Sequence, residues 1–334
     1  MSFRTTAIDT PDSATTGLFA ATNDGPGGAG KCGLILDDHP NISAGIEIVT
    51  TEKTTGLSEV RTGSAAIGQE LTLTKKQPML SLGSFGLTPE KAEIFLWSLL
   101  QKGASESGTT SYTKVYVPYV QGQPDPEMWI DVSRSIGDPA SVTGYGHVLT
   151  GAICTSFGVS GSQGERLIAK AELTGRSFRT NYVHAASVFT PEDTADHVFL
   201  DYAWTLGGTT ARLQSFDFTI TNGATPLFYN SLVPTGFTLH RLSVTGTFSL
   251  AMSTTTLGDN AQIDNWVSGA DLLLTGTHSG SAIIFSFNTH YTGAEVDAAE
   301  TEHLLNLPFE GASDGTNHVL NITVVSANEL SIPA

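Results

Sequence analysis

Positive charge is scarce in this chain: 16 Lys and Arg stand against 33 Asp and Glu in 334 residues, a formal net charge of −17. A surface that grips nucleic acid needs clustered cations to displace counterions, so that class of function has no footing here. Nucleic acid passing by without specific binding is compatible with the same charge. Cysteine is scarcer still. Cys32 and Cys154 cannot frame a disulfide scaffold and read as two free thiols in a reducing compartment. Long apolar runs are missing as well, and none approaches the roughly 18 residues of a membrane span. The opening MSFRTTAIDTPDSATTG has no apolar signal core, so the expectation is a soluble, unsecreted product without a membrane partner.

Chemical motifs are equally thin. No nucleophile elbow is recognised, and no His is placed by sequence beside a Ser or Cys in a recognisable way. The run Gly25-Pro-Gly-Gly-Ala-Gly-Lys-Cys32 departs from a phosphate-binding loop at one residue, with Cys32 where Ser or Thr would hold magnesium. The following Gly33 to Leu36 reads as strand, whereas such a loop must enter a helix; a flexible arm is the better reading. Glu300 and His303 have E-x-x-H spacing, with Glu295, Asp297 and Glu302 nearby. A carboxylate-bridged metal pair needs that motif from two helices plus two more glutamates, so an acidic turn is preferred. The nine histidines are scattered, and Asp37-Asp38-His39 reads as a turn. Asn41-Ile-Ser43 and Asn321-Ile-Thr323 match glycosylation acceptors that carry no meaning without secretion. No catalytic, metal or cofactor-binding residue is assigned, and the chain is read as a non-enzyme.

What the sequence does have is 35 glycines, many threonines and apolar residues spaced in twos, which suit strands and turns. From Leu242 to Met252 the apolar residues alternate with Ser and Thr. Asp259 then sits at a helix N-cap with Gln262 as capping-box partner, Ile263, Trp266 and Val267 share an inward helical face, and Gly269 ends the turn. Phe237 to Gly269 thus reads as a strand pair leading into a short helix. A second copy runs from Leu71 to Gly103: strand-like Leu71, Leu73, Leu80 and Leu82, Thr88 as N-cap, Pro89 at the first helical position, an apolar face of Ala92, Phe95, Leu96 and Leu99, and Gly103 as the stop. The two caps lie about half of the 334-residue chain apart, which suggests a duplicated domain. The expected organisation is an irregular arm over 1–44, a first domain over 45–180, a linker over 181–196 and a second domain over 197–334. A surplus in the first copy is assigned to an insertion from Gln121 to Gly146.

Three stretches, GVSGSQGERLIAKAELTG, LQSFDFTITNG and GTFSLAMSTTTLGDNAQIDNWVSG, resemble the tail tube (major tail) proteins of long-tailed phages, and the resemblance covers residues 60 to 326 in order. It implies a mainly β (α+β) fold: tail-tube-like β-sandwich domains, each with one flanking α-helix, whose inner strands join those of neighbours into a ring-shaped barrel. Rings stack into a hollow virion tube through which DNA passes. Such a protein is made in the host cytoplasm and meets the tape measure, tail tip and terminator proteins. The family ring is commonly six single domains, so two tandem domains imply a homotrimer with pseudo-sixfold symmetry. Loops reaching the adjacent ring match Thr51 to Gly68 and Thr221 to Gly236, with Arg61, Phe228, Tyr229 and Leu232 as expected inter-ring contacts. The alternative is a two-domain β-sandwich binding module or another virion component, such as a neck, decoration or adhesin protein.

Overall fold

A computed structural model of the chain describes residues 2–3, 14–21, 32–34, 41–43, 46–53, 68–100, 102–107, 112–118, 128–136, 145–183, 195–251, 259–280, 282–298, 303–313 and 318–326. The period-2 alternation is realised throughout as strand. The first half contributes β1 (Ser2–Phe3), β2 (Ala14–Ala21), β3 (Cys32–Leu34), β4 (Asn41–Ser43), β5 (Ile46–Lys53), β6 (Gly68–Lys76), β7 (Met79–Gly86), helix α1 (Pro89–Leu100), β8 (Lys102–Ser107), β9 (Tyr112–Tyr116), β10 (Met128–Ile136), β11 (Tyr145–Ser162), β12 (Ile168–Thr174) and β13 (Ser177–Val183). The second half contributes β14 (Tyr202–Leu206), β15 (Thr209–Thr210), β16 (Leu213–Thr221), β17 (Thr225–Leu227), β18 (Gly236–Thr238), β19 (Ser243–Ala251), helix α2 (Asp259–Ser268), β20 (Asp271–His278), β21 (Ile283–Tyr291), β22 (Glu295–Ala298), β23 (His303–Gly311) and β24 (Leu320–Ser326). The fold is mainly β, with large antiparallel sheets.

An inner row of eight strands runs through both halves in the order β4-β7-β12-β11-β16-β19-β23-β22, every pairing antiparallel. The middle seam, Ser156–Ser162 of β11 against Thr221–Ser215 of β16, joins the first half to the second by backbone hydrogen bonds. Behind this row lie outer strands. In the first half β2 pairs β10, β10 pairs the start of β11, and that segment pairs β13. In the second, β14 pairs β20, β20 pairs β21, and β21 pairs β24. The same order of pairings therefore recurs. β11 serves both layers because it bends at Gly151, whose φ is +57°.

Between the layers the apolar members of each alternation meet. Phe157 and Val159, Phe216, Phe218 and Ile220, and Val244, Phe248 and Leu250 are all at most 4% exposed. Phe218 and Phe287 bring their ring centroids to 4.6 Å across the core, and each such ring contributes about 1.5–3 kcal/mol through burial. The polar members of the same strands, among them Asp217, Thr245 and Thr247, face the opposite side and are exposed.

Helix α1 starts as its sequence dictates: the Lys91 amide donates to Thr88 Oγ1 at 3.3 Å, and Pro89 occupies the first turn, where no amide is needed. It is buried on all sides rather than along one face; Glu90 alone of its residues is not buried. Gly103, expected to stop it, lies inside β8, because the helix already ends at Leu100. Helix α2 does end at Gly269, at φ +67°, where the Gly269 amide meets the Trp266 carbonyl at 3.1 Å and the Ala270 amide meets that of Asn265 at 3.0 Å. At its other end two expectations fail. The helix begins at Asp259 itself, and Gln262, instead of closing a capping box, is buried and accepts from the Tyr291 hydroxyl at 3.0 Å.

Other boundaries differ too. The first 44 residues, expected to be an irregular arm, contribute β1 to β4, and β2 pairs along its whole length with β10. β10 in turn lies within the stretch assigned as an insertion; what lacks a counterpart in the second half is the β8–β9 hairpin, whose strand β9 pairs with β24. β18 pairs β17 and not β19, so the strand leading to α2 has its partners, β16 and β23, far away in sequence. Residues 184–194 of the expected linker, and the loop residues 54–67 and 121–127, lie outside the described residues.

Candidate assembly surface

Three surfaces stand out as sites where this fold can meet another molecule. The first is the pair of ends of the inner row. β4 and β22 each pair with one neighbour, β7 and β23, and among the described residues neither has a partner on its other edge. Asn41, Glu295, Val296 and Asp297 are exposed there. Open edges carry unpaired amides and carbonyls that template further pairing.

The second is the polar face of the row, where Ser156, Ser160, Lys170, Glu172, Asp217 and Thr219 surround a shallow depression. Ser243, Thr245 and Thr247 are exposed on β19, whereas Ser249 is buried and donates to Asn306 on β23. Among the described residues this wall is hydroxyl-rich with both signs of charge and shows no cation cluster of the kind that would hold a polyanion.

The third is the loop joining β17 to β18. Thr235 closes its base, with amide and hydroxyl on the Leu227 carbonyl at 2.8 and 3.1 Å, and Asn230 turns its tip at φ +50°. Tyr229 is 71% exposed and Leu232 47%, while Phe228 is half-buried. The Leu232 carbonyl accepts from the Lys76 amide at 2.7 Å, so this loop is anchored to the end of the β5–β6 hairpin. Of the four expected contact residues the structure brings together Phe228, Tyr229 and Leu232; Arg61 lies outside the described residues. Exposed Val233 belongs to the same tip and was missed, since one valine in a polar loop has no periodicity to mark it. Trp266 on α2, expected inward, is 40% exposed, and Val267 beside it is 73% exposed.

Two reactive side chains among the described residues, Cys154 and His197, are buried. Cys154 is fully buried; its amide donates to Ser98 Oγ at 2.8 Å, its thiol donates to the Ser156 carbonyl, and burial pushes the thiol pKa up. His197 stacks on His278 with ring centroids 3.9 Å apart, lies 2.9 Å from the Tyr202 hydroxyl, and is pushed down to about 4, first by burial and then by His278. The E-x-x-H stretch forms no helix where it is described: Ala298 pairs with His303 in a strand hairpin, and Glu300 lies outside the described residues. Among the described residues no group of three metal-ligating side chains is assembled, and no helix is long and apolar enough to cross a membrane.

Open strand edges, a polar wall and an exposed apolar loop tip on a two-layered β framework define a structural building block of the self-associating kind. Residues 6–317 match the model of the phage tail tube protein family, and the chain belongs to that family. This makes it a structural component of the virion tail. None of the curated proteins matches the chain.

Proposed function

We propose that three copies of this chain close into a ring of pseudo-sixfold symmetry and that rings stack into the hollow tube through which DNA is delivered. The observation that carries this reading is the inner row. It consists of two four-strand sets, β4-β7-β12-β11 and β16-β19-β23-β22, joined antiparallel at the β11:β16 seam. Seven successive antiparallel pairings leave the two end strands running in opposite directions. β22 of one copy can therefore pair with β4 of the next in the same sense as β11 with β16, and repetition removes every open edge, as barrel closure requires. The recurring pairing order supports a duplication, with units over 45–180 and 197–334, strands from 1–44 added to the first, and 181–196 between them. The polar face of the row then lines the lumen, where acidic and hydroxyl groups let DNA slide without holding it. The β17–β18 loop, with Tyr229 and Leu232, and the neighbouring β5–β6 hairpin reach the adjacent ring. Tape measure, tip and terminator proteins meet the tube at its bore and ends.

Proline at a sheet edge removes an amide donor. Amides of consecutive strand residues point to opposite edges, so one of Val296→Pro and Asp297→Pro deletes an outward donor of β22. The purified wild type is expected to form rings or tubes in negative-stain micrographs, and one of the two variants is expected to lose them while its far-ultraviolet circular dichroism is unchanged. A wild type that stays monomeric at high concentration, or two variants that both build tubes of normal length, would sink the proposal.

A further inference from the structure

We infer that the outward face of α2 is a docking surface for β13 of the next copy in the ring. This rests on the ring reading above and adds a second, outer contact to the same junction. The starting point is the different fate of the two helices. Each follows an inner-row strand, β7 or β19, and each packs against the matching strand of its own half, α1 on β11 and α2 on β21. There the likeness ends. α1 is also covered by β24 and β9: Ser326 of β24 donates to Glu93 at 2.7 Å, and Lys114 and Tyr116 of β9 reach the same carboxylate. β24 belongs to the other half, so within one chain the helix of one unit is covered by the last outer strand of its neighbour.

α2 has no such cover among the described residues. Gln262 is buried against Tyr291 on the inner side, while Asp264, Trp266 and Val267 are exposed on the other. The strand that holds in the first half the position β24 holds in the second is β13: each closes the outer layer by pairing with the strand before the inner hairpin. The outer edge of β24 is occupied by β9, whereas no described strand pairs with the outer edge of β13. The rotation that carries β16 next to β11 also carries β24 onto α1. Applied once more, it places β4 of the next copy beside β22 and β13 of that copy over α2. The second half has no counterpart of the β8–β9 hairpin, so cover at this junction is narrower, in keeping with a helix that is shorter and less apolar than α1.

The test places the photo-crosslinker p-benzoylphenylalanine at Val267 in one full-length preparation and at Val296 in another, irradiates assembled material and maps the linked peptides by mass spectrometry. Val267 is expected to link between chains to residues 176–183, and Val296 between chains to residues 41–43. If Val296 links as expected while Val267 links elsewhere, or only within its own chain, the docking inference falls and the ring stands. If neither links between chains, both fall. Trp266→Asp with Val267→Asp is expected to raise the protein concentration needed for ring formation about tenfold, as loss of a central apolar contact does. An unchanged threshold with intact circular dichroism would overturn the inference.

Discussion

Glu93 shows how much a single side chain can hold together. It sits at 0% exposure on α1, takes hydrogen bonds from Lys114 and Tyr116 on β9 and from Ser326 on β24, and so ties the helix of the first half to the outer layer of the second. Burial drives its carboxyl above the ordinary carboxylate range, and the Lys114 ammonium opposes that. Lys114→Met leaves the acid without its cation and is expected to cost about 3–5 kcal/mol, read as a lower denaturation midpoint in urea. Pairing it with Glu93→Leu should recover most of the loss, since two matched apolar groups desolvate nothing. None of this was legible in the sequence, where Glu93 is one acid on a helical face and its partners lie 21, 23 and 233 residues away. Side-chain networks follow the topology, and no short window of residues encodes them.

At the scale of elements, what the sequence discloses depends on whether the cause is local. Alternation from Leu242 to Met252 identified both the existence of β19 and its inward face, because period 2 follows from strand geometry alone. The Thr88 cap and the Gly269 stop were legible for the same reason. Partners were not: β18 leaves β19 for β17, β2 crosses from the amino-terminal stretch to β10, and α2 turns Trp266 outward. Each outcome is decided by which other segment arrives alongside, and alternation within a strand does not name it. Gly246 illustrates the demand such arrivals make. A Cβ there would lie 2.3 Å from the Asp217 carbonyl oxygen and 2.8 Å from the Phe309 ring, because β16 and β23 close on β19 from both sides. Gly246→Val is expected to destabilise the fold by about 1–3 kcal/mol through overpacking, measurable as a drop in Tm.

For the whole molecule, the proposed lateral and axial contacts can be tested separately. The proposed lateral contact uses the end strands β4 and β22, and the proposed axial contact uses the exposed tip of the β17–β18 loop. Replacing Tyr229 and Leu232 together by Asp removes an exposed apolar tip while leaving the row untouched. Rings are then expected to form as before, with tubes several-fold shorter in micrographs; tubes of unchanged length would mean the tip does not carry the axial contact. The recurring pattern was visible as two helices, each following strand-like alternation, about half a chain apart, and with the family resemblance it led to the proposal of two tandem units. The covalent continuity of the β11:β16 seam adds one further consequence. Every free body that joins an assembly gives up translational and rotational freedom worth several kcal/mol. In the proposed ring, carrying two units on one chain makes every second lateral contact intramolecular, so half of its junctions form during folding at no cost in association entropy. Ring closure then requires fewer bimolecular encounters, its critical concentration falls, and partial rings have fewer distinct forms in which to stall.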